Sequence, residues 1–280
     1  SKGSALGETV GLGHRLMRPR VNGADAGWDE ALQLVADRFR ETVEAHGPDS
    51  VAFYVSGQLL SEDYYVANKL MKGFIGSANI DTNSRLCMAS TVAGHKRAFG
   101  TDTVPQTYED IEEADLVVLV GSNLAWCHPV LYQRLIAARK AKGTRLIVID
   151  PRRTASCDGA DLHLKLAPGS DVALFNHLFA ALYENGMLDA AYLPNTSGFN
   201  ATLASAASDD VSVTGLDPRD IDRFCRMWMG TEKVVTIFSQ GVNQSSSGTD
   251  KVNAILNCHI ATGRIGKPGM GPFSVTGQPN

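Results

Sequence analysis

What this sequence has little of sets the first limits on it. Its five cysteines, at 87, 127, 157, 225 and 258, are odd in number and nowhere form a CxxC spacing, which excludes a disulfide framework and a self-contained zinc site. The longest apolar runs, such as Leu116–Val120, are of strand length, well short of the roughly 20 residues a membrane-crossing helix needs. No sign of charge dominates. With 26 basic against 30 acidic side chains, a formal charge of -4 and a pI near 6.0, the chain has no global attraction to a phosphate backbone or an anionic membrane, so neither nucleic acid nor membrane is expected as a partner. A GxGxxG turn after a strand and a GxxxxGK[ST] loop are both missing, which disfavours a standard dinucleotide or P-loop enzyme. The opening Ser1-Lys2-Gly3-Ser4 has neither an initiator Met nor a signal-peptide pattern, and the chain is expected to be a piece of a larger protein.

What is there is an ordinary globular composition, 44% hydrophobic and 20% charged over 280 residues, enough for one large domain or two of ordinary size. Trp28, Leu32, Val35, Phe39 and Val43 recur at helical spacing behind Asp29 and Glu30, where the helix dipole favours acids, and predict a helix over 28–45. After Gly47-Pro48-Asp49, the run Val51-Ala52-Phe53-Tyr54-Val55 reads as a buried strand that stops at Ser56-Gly57-Gln58. The unit recurs. Leu116–Val120 stops at Gly121-Ser122-Asn123, 146–149 at Asp150-Pro151-Arg152-Arg153, and Val234–Phe238 at Ser239-Gln240-Gly241. Near-continuous apolar strands alternating with helices predict an α/β fold with parallel, doubly wound sheets.

In such sheets ligands collect outside the carboxyl ends of the strands. Here each of those ends carries small, amide or charged residues, a set suited to close backbone approach and directional hydrogen bonding of a large polar ligand. Asp150 could accept from a purine or sugar edge while an arginine of Arg152-Arg153 answers a phosphate, whereas Arg134, Arg139, Lys140 and Lys142 read as a solvated helix face. Cys87, between a loop and the start of a predicted helix through 92–95 and close to Arg85, fits a nucleophile or soft-metal ligand, but a lone cysteine is more commonly a small core residue, and spacing does not choose between these. Cys127, Cys157, Cys225 and Cys258 are assigned to packing, and His128-Pro129 to the start of a helix.

Several stretches then agree with one family. Ser1-Lys2-Gly3-Ser4-Ala5-Leu6-Gly7-Glu8, Ser56-Gly57-Gln58-Leu59-Leu60-Ser61-Glu62-Asp63-Tyr64-Tyr65, Asn79-Ile80-Asp81-Thr82-Asn83-Ser84-Arg85-Leu86-Cys87-Met88-Ala89-Ser90 and Asp150-Pro151-Arg152-Arg153 resemble bacterial assimilatory nitrate reductases, which are molybdopterin oxidoreductases of the dimethyl sulfoxide reductase family. Gly241-Val242-Asn243-Gln244, Gly263-Arg264-Ile265-Gly266-Lys267-Pro268-Gly269 and Gly277-Gln278-Pro279-Asn280 follow the family in order. The resemblance implies that Cys87 is the thiolate ligand of molybdenum held by two molybdopterin guanine dinucleotides. It places Asp150, Pro151 and Arg152 at a guanosine end, and Ser56, Gly57, Gln58, Asn83, Gly121, Ser122, Asn123, Pro168, Gly169 and Asp171 along the cofactors. Gln240, Gly241, Gln244 and Gln278 fall near the pterins, and Lys2 lies on the electron path from a 4Fe-4S cluster whose ligands are not in this chain.

The implied reaction is two-electron reduction of nitrate to nitrite, with a ferredoxin, flavodoxin or NADH-linked reductase subunit as donor and a cytoplasmic location; taken alone, the chain is expected to be inactive. Met88 stands where formate dehydrogenases of the family usually have His, which favours nitrate over formate. Formate dehydrogenase, another molybdopterin oxidoreductase and a non-catalytic structural subunit are the competing readings. For architecture, 1–23 is expected to be a remnant of an iron–sulfur domain. Residues 24–82 and 233–280 are expected to share one sheet as a first lobe, and 83–232 to form an inserted lobe that binds the cofactor.

Overall fold

The computed structural model describes residues 6–11, 13–83 and 86–275. The chain divides into two compact units, residues 1–86 and 87–280.

In the first unit, strands β1 (Arg20–Val21) and β2 (Ala24–Asp25) form a hairpin around Asn22 and Gly23, both at positive φ, as a two-residue turn matched to strand twist requires. Helix α1 covers Trp28–His46, ending at Gly47, so the spacing located it to within a residue. Its inner half packs through Phe39, whose ring lies 5.9 Å from that of Phe53. Trp28, Leu32 and Val35, on the same stripe, are exposed. Strand β3 (Phe53–Val55) pairs in parallel with β4 (Ile80–Thr82), Phe53 opposite Ile80. Tyr54 is 69% exposed, so β3 is only half covered where the sequence predicts a buried strand; a two-stranded ribbon has too few neighbours to cover both faces. Between them runs α2 (Ser61–Asn68), continued by a wider-wound turn over Lys69–Ile75 that buries Met71.

The second unit is built on a five-stranded parallel sheet in the order β7-β6-β5-β8-β9. Its strands are β5 (Leu116–Val120), β6 (Arg145–Ile149), β7 (Leu162–Leu164), β8 (Val234–Phe238) and β9 (Gly271–Ser274). Helices flank it, the long ones being α3 (Ala89–Phe99), α4 (Pro129–Lys142), α5 (Asp171–Glu184), α6 (Phe199–Ser208), α7 (Pro218–Met229) and α8 (Gly248–Ala261). Every residue of β5 and β8 is buried. Alternation sends Leu116, Val118 and Val120 to one face, under Phe175, Phe224, Trp228 and Ile255, and Val117 and Leu119 to the other, under Leu131 and Leu135 of α4. Each such side chain contributes about 1.5–3 kcal/mol by leaving water, so the sheet centre is where the unit's stability resides.

From β5 the chain passes to β6 and β7 on one side, then returns to β8 and β9 on the other, with Val117 opposite Leu146 and Val118 opposite Thr236. Strand order therefore reverses between β5 and β8. This corrects the expected division of the chain: 51–55 and Val234–Phe238 lie in different sheets, β3 bonded to β4, and β8 bonded to β5 and β9. The two runs look alike in sequence, but a strand buried on both faces needs neighbours at both edges and helices on both sides, and only the sheet within 87–275 gives β8 these.

Beneath β8, His259 of α8 is fully buried. Its Nε2 lies 2.8 Å from Thr236 Oγ1 and its ring sits edge-on to Trp228, whose other contact is the Arg264 guanidinium 4.1 Å over the indole. Burial, with Arg264 as a second cause, holds the imidazole well below its ordinary value of 6.5. Below that pH the unfolded chain takes up a proton that folded His259 refuses, so this residue removes stability as pH falls, by up to about 1.4 kcal/mol per unit. Unfolding free energy measured in urea between pH 7 and 5 is expected to fall less steeply in His259→Gln than in wild type; parallel curves would contradict a buried neutral imidazole.

Candidate functional site

The ends of β5 and β8 meet without side chains between them. Gly121, at φ +53, turns the chain after β5, and Gly241 does so after β8; a Cβ on Gly121 would lie 2.7 Å from Gly241 Cα, and one on Gly241 2.6 Å from Gly121 Cα. Gly241 N donates to Gly121 O at 3.0 Å, fixing the approach. Below this contact Ser122 and Ser239 hydroxyls lie 3.0 Å apart, and Ser239 Oγ donates to Val275 O at 2.8 Å. The loops then diverge, and the crevice they leave sits at the switch point where parallel α/β sheets hold ligands.

That crevice is a cleft of about 480 Å³ at the carboxyl ends of the strands. Gly121 and Asn123 reach it from β5, Asp150, Pro151 and Arg152 from β6, and Gln240, Gly241 and Gln244 from β8. Pro168, Gly169 and Asp171 close it from the loop before α5. Of the described positions expected at the cofactors in this unit, all but Ser122 line it; Ser122 is turned inward to Ser239. Asp150 is only 4% exposed, and its Oδ1 accepts from Arg152 N at 2.8 Å, while the Arg152 side chain is 75% exposed with its Nε 3.8 Å from the same oxygen. Gly169, at φ +94, has nothing within 4 Å of where a Cβ would stand, so backbone is presented there to whatever fills the space.

Cys87 stands beside this cleft. Gln240 Nε2 lies 3.7 Å and Gln244 Nε2 3.5 Å from its Sγ, so two carboxamides that line the cleft are directed at one sulfur. Asn243, 3% exposed, ties the turn down: its Nδ2 donates to the Cys87 carbonyl and to Gln240 Oε1, and its Oδ1 accepts from Thr91 N at 2.8 Å. Helix α3, which Cys87 precedes, is seated on α8 where Gly94 meets Val252 so closely that a Cβ would come within 2.5 Å of it.

Ser56, Gly57, Gln58 and Asn83 gather separately, at the carboxyl ends of β3 and β4 in the first unit. Asn83 Oδ1 accepts from Gly57 N at 2.6 Å, Ser56 Oγ accepts from Gln58 N at 3.2 Å, and Tyr64 OH donates to Ser56 O at 2.7 Å. Lys2 and Gln278, like Arg85, lie outside the described residues.

Sequence reasoning missed Asn243 and Lys251, each of which reaches the site through a partner distant in the chain. It also placed Cys127 in the packing, whereas this thiol is exposed and lines the cleft. Cys225 and Cys258 are packed as expected, with burial raising the Cys225 thiol to about 12 and Cys258 higher still. Among the described residues no three His, Cys, Asp or Glu side chains converge as a metal site.

An α/β unit thus carries a ligand-sized cleft at the switch point of its parallel sheet, with Cys87 and the amides of Gln240 and Gln244 beside it. Residues 15–278 match the molybdopterin oxidoreductase family, and the chain belongs to it. It is 55% identical, along its whole length, to a nitrate reductase of Klebsiella oxytoca, of which it covers 32%. It is 38% identical to a periplasmic nitrate reductase of Desulfovibrio desulfuricans, covering 40% of that protein. The chain thus spans about a third of the length of the curated relatives it matches. Acetylene hydratase from Pelobacter acetylenicus superposes at a TM-score of 0.62 over 85% of this chain and 33% of its own, at 23% identity, a likeness of fold.

Membership implies a molybdenum–pterin cofactor, and the residues fit one: a soft sulfur donor beside two amides, a cleft whose wall at Gly169 is bare backbone, and a buried carboxylate next to an exposed guanidinium. The cleft depends on the glycine contact. Gly121→Ala combines a positive φ with a backbone clash and is expected to cost about 2 kcal/mol or more; an unfolding free energy within 0.5 kcal/mol of wild type, on the order of an ordinary surface substitution, would show that the two loops do not meet as described.

Proposed function

We propose that this chain forms the cofactor-holding part of a nitrate reductase that converts nitrate to nitrite, taking up two electrons and two protons and releasing water. The observation that carries the reading is the Cys87 sulfur faced by Gln240 and Gln244 at the rim of the cleft, in a chain 55% identical to a nitrate reductase. Bound in the cleft, the molybdenum–pterin group would supply the oxygen-atom transfer and the two-electron capacity. The protein's part is positioning. Cys87 would hold the metal, and the two glutamine amides donate toward its sulfur, which orients the thiolate and withdraws charge from it. Asn243 keeps the Cys87–Met88 turn in place, so the donor sulfur is presented by a fixed backbone and not by a free loop.

The cofactor is read as the guanine dinucleotide form. A buried Asp150 carboxylate accepts hydrogen bonds from the N–H edge of a guanine, and Arg152 answers a phosphate. The loop cluster of Ser56, Gly57, Gln58 and Asn83 is assigned to a second cofactor, and Lys2 to electron entry from a 4Fe-4S cluster, both on the strength of the resemblance. The assimilatory, cytoplasmic type, with a ferredoxin, flavodoxin or NADH-linked donor, rests on the resemblance of 59–63, while Met88 favours nitrate over formate.

In the complete protein, Cys87→Ser is expected to lower bound molybdenum and to remove at least 99% of reduced-dye nitrate activity, on the order of 10²-fold, the effect expected when an orienting metal ligand is altered. Formate turnover in place of nitrate turnover would move the protein to the formate dehydrogenase reading, and neither activity with no molybdenum would make it a structural subunit. Nitrate-reducing activity should remain with the cytoplasmic fraction after osmotic shock; release with the periplasm would remove the assimilatory assignment.

A further inference from the structure

Lys251 is the anomaly of the cleft. Lysine is almost never fully buried, yet Lys251 is 3% exposed, on α8, at the cleft wall. Its Nζ lies 2.7 Å from Asp171 Oδ2, also in the wall and itself 6% exposed. An ammonium carries three N–H donors. One faces Asp171, and among the described residues no second acceptor is found for the ammonium. A buried ion pair kept only for stability is readily replaced by apolar side chains without loss, so its presence beside a ligand space asks for another reason. Asp171 sits in the first turn of α5, where the helix dipole already favours a carboxylate. Its charge therefore does not need the whole of the lysine's, and the pair retains positive character toward the cleft. Arg152 brings a second cation to the same space.

We propose that Lys251 is an anion-binding residue of this cleft, donating its two unmatched N–H groups to a phosphate oxygen of a diphosphate-bearing ligand. The proposal rests on the reading of the cleft as a cofactor site. It assigns Asp171 a positioning role: the carboxylate holds the ammonium at the wall and does not itself have to touch the ligand.

The test uses the complete protein prepared free of cofactor, titrated calorimetrically with guanosine 5′-diphosphate, inorganic diphosphate and guanosine. Wild type is expected to bind all three. Lys251→Met should weaken the two diphosphates by about 10- to 100-fold, the range of a charge-assisted hydrogen bond, while leaving guanosine binding unchanged, a selectivity that loss of packing would not produce. Lys251→Arg should restore most of the loss. Equal binding of both diphosphates by wild type and a folded Lys251→Met overturns the proposal and leaves the cofactor reading standing. Failure of wild type to bind any of the three removes the cofactor reading, and the proposal with it. Should Lys251→Met not fold, Asp171→Asn decides: with the competing carboxylate gone, inorganic diphosphate binds more tightly if Lys251 holds the anion, and unchanged or weaker binding shows that the lysine serves only Asp171.

Discussion

The second unit depends on one steric constraint, that the backbones leaving β5 and β8 touch at Gly121 and Gly241. Two adjacent parallel strands, each buried along its whole length, must end at the same level, and the chain leaving each must turn away from the other. Because neither glycine has a side chain, the turns can start in contact and separate above it. The width of the cleft is set at that point, and so are the places from which Asn123, Gln240 and Gln244 approach it. A bulkier pair would push the loops apart at their base and move every group above.

The amides around Cys87 follow from the same arrangement. The helix Gln240–Asn243 starts directly after β8, so its residues project over the cleft on one side and toward the turn before α3 on the other. Gln240 serves both sides, lining the space and facing the sulfur. The site is therefore assembled by the β8 end, with Cys87 delivered to it by α3 and its packing on α8.

Much of this was legible in the sequence, for a physical reason. A buried parallel strand is a short apolar run with an abrupt polar stop, and the stops after Val120, Ile149 and Phe238 mark the cleft floor directly. What the runs do not encode is which neighbour each strand pairs with, and β3 and β8, with the same local pattern and the same Ser after them, were joined wrongly for that reason. Lys251 and Asn243 escaped notice because nothing local distinguishes a lysine within a helix that is solvated from one that meets an aspartate 80 positions away by number, or an asparagine that caps nothing from one that holds a turn 156 residues distant. The exposure of Cys127 is likewise a property of the cleft and not of its neighbours in the chain.

The Asn243 carboxamide also has a kinetic meaning. It joins the amide of Thr91 to a loop 152 residues away, and the same side chain grips the Cys87 carbonyl. Neither segment can fray without releasing the other, so the turn and the β8 loop form one cooperative opening unit. In hydrogen-exchange terms the Thr91 and Gln244 amides should share a single opening event.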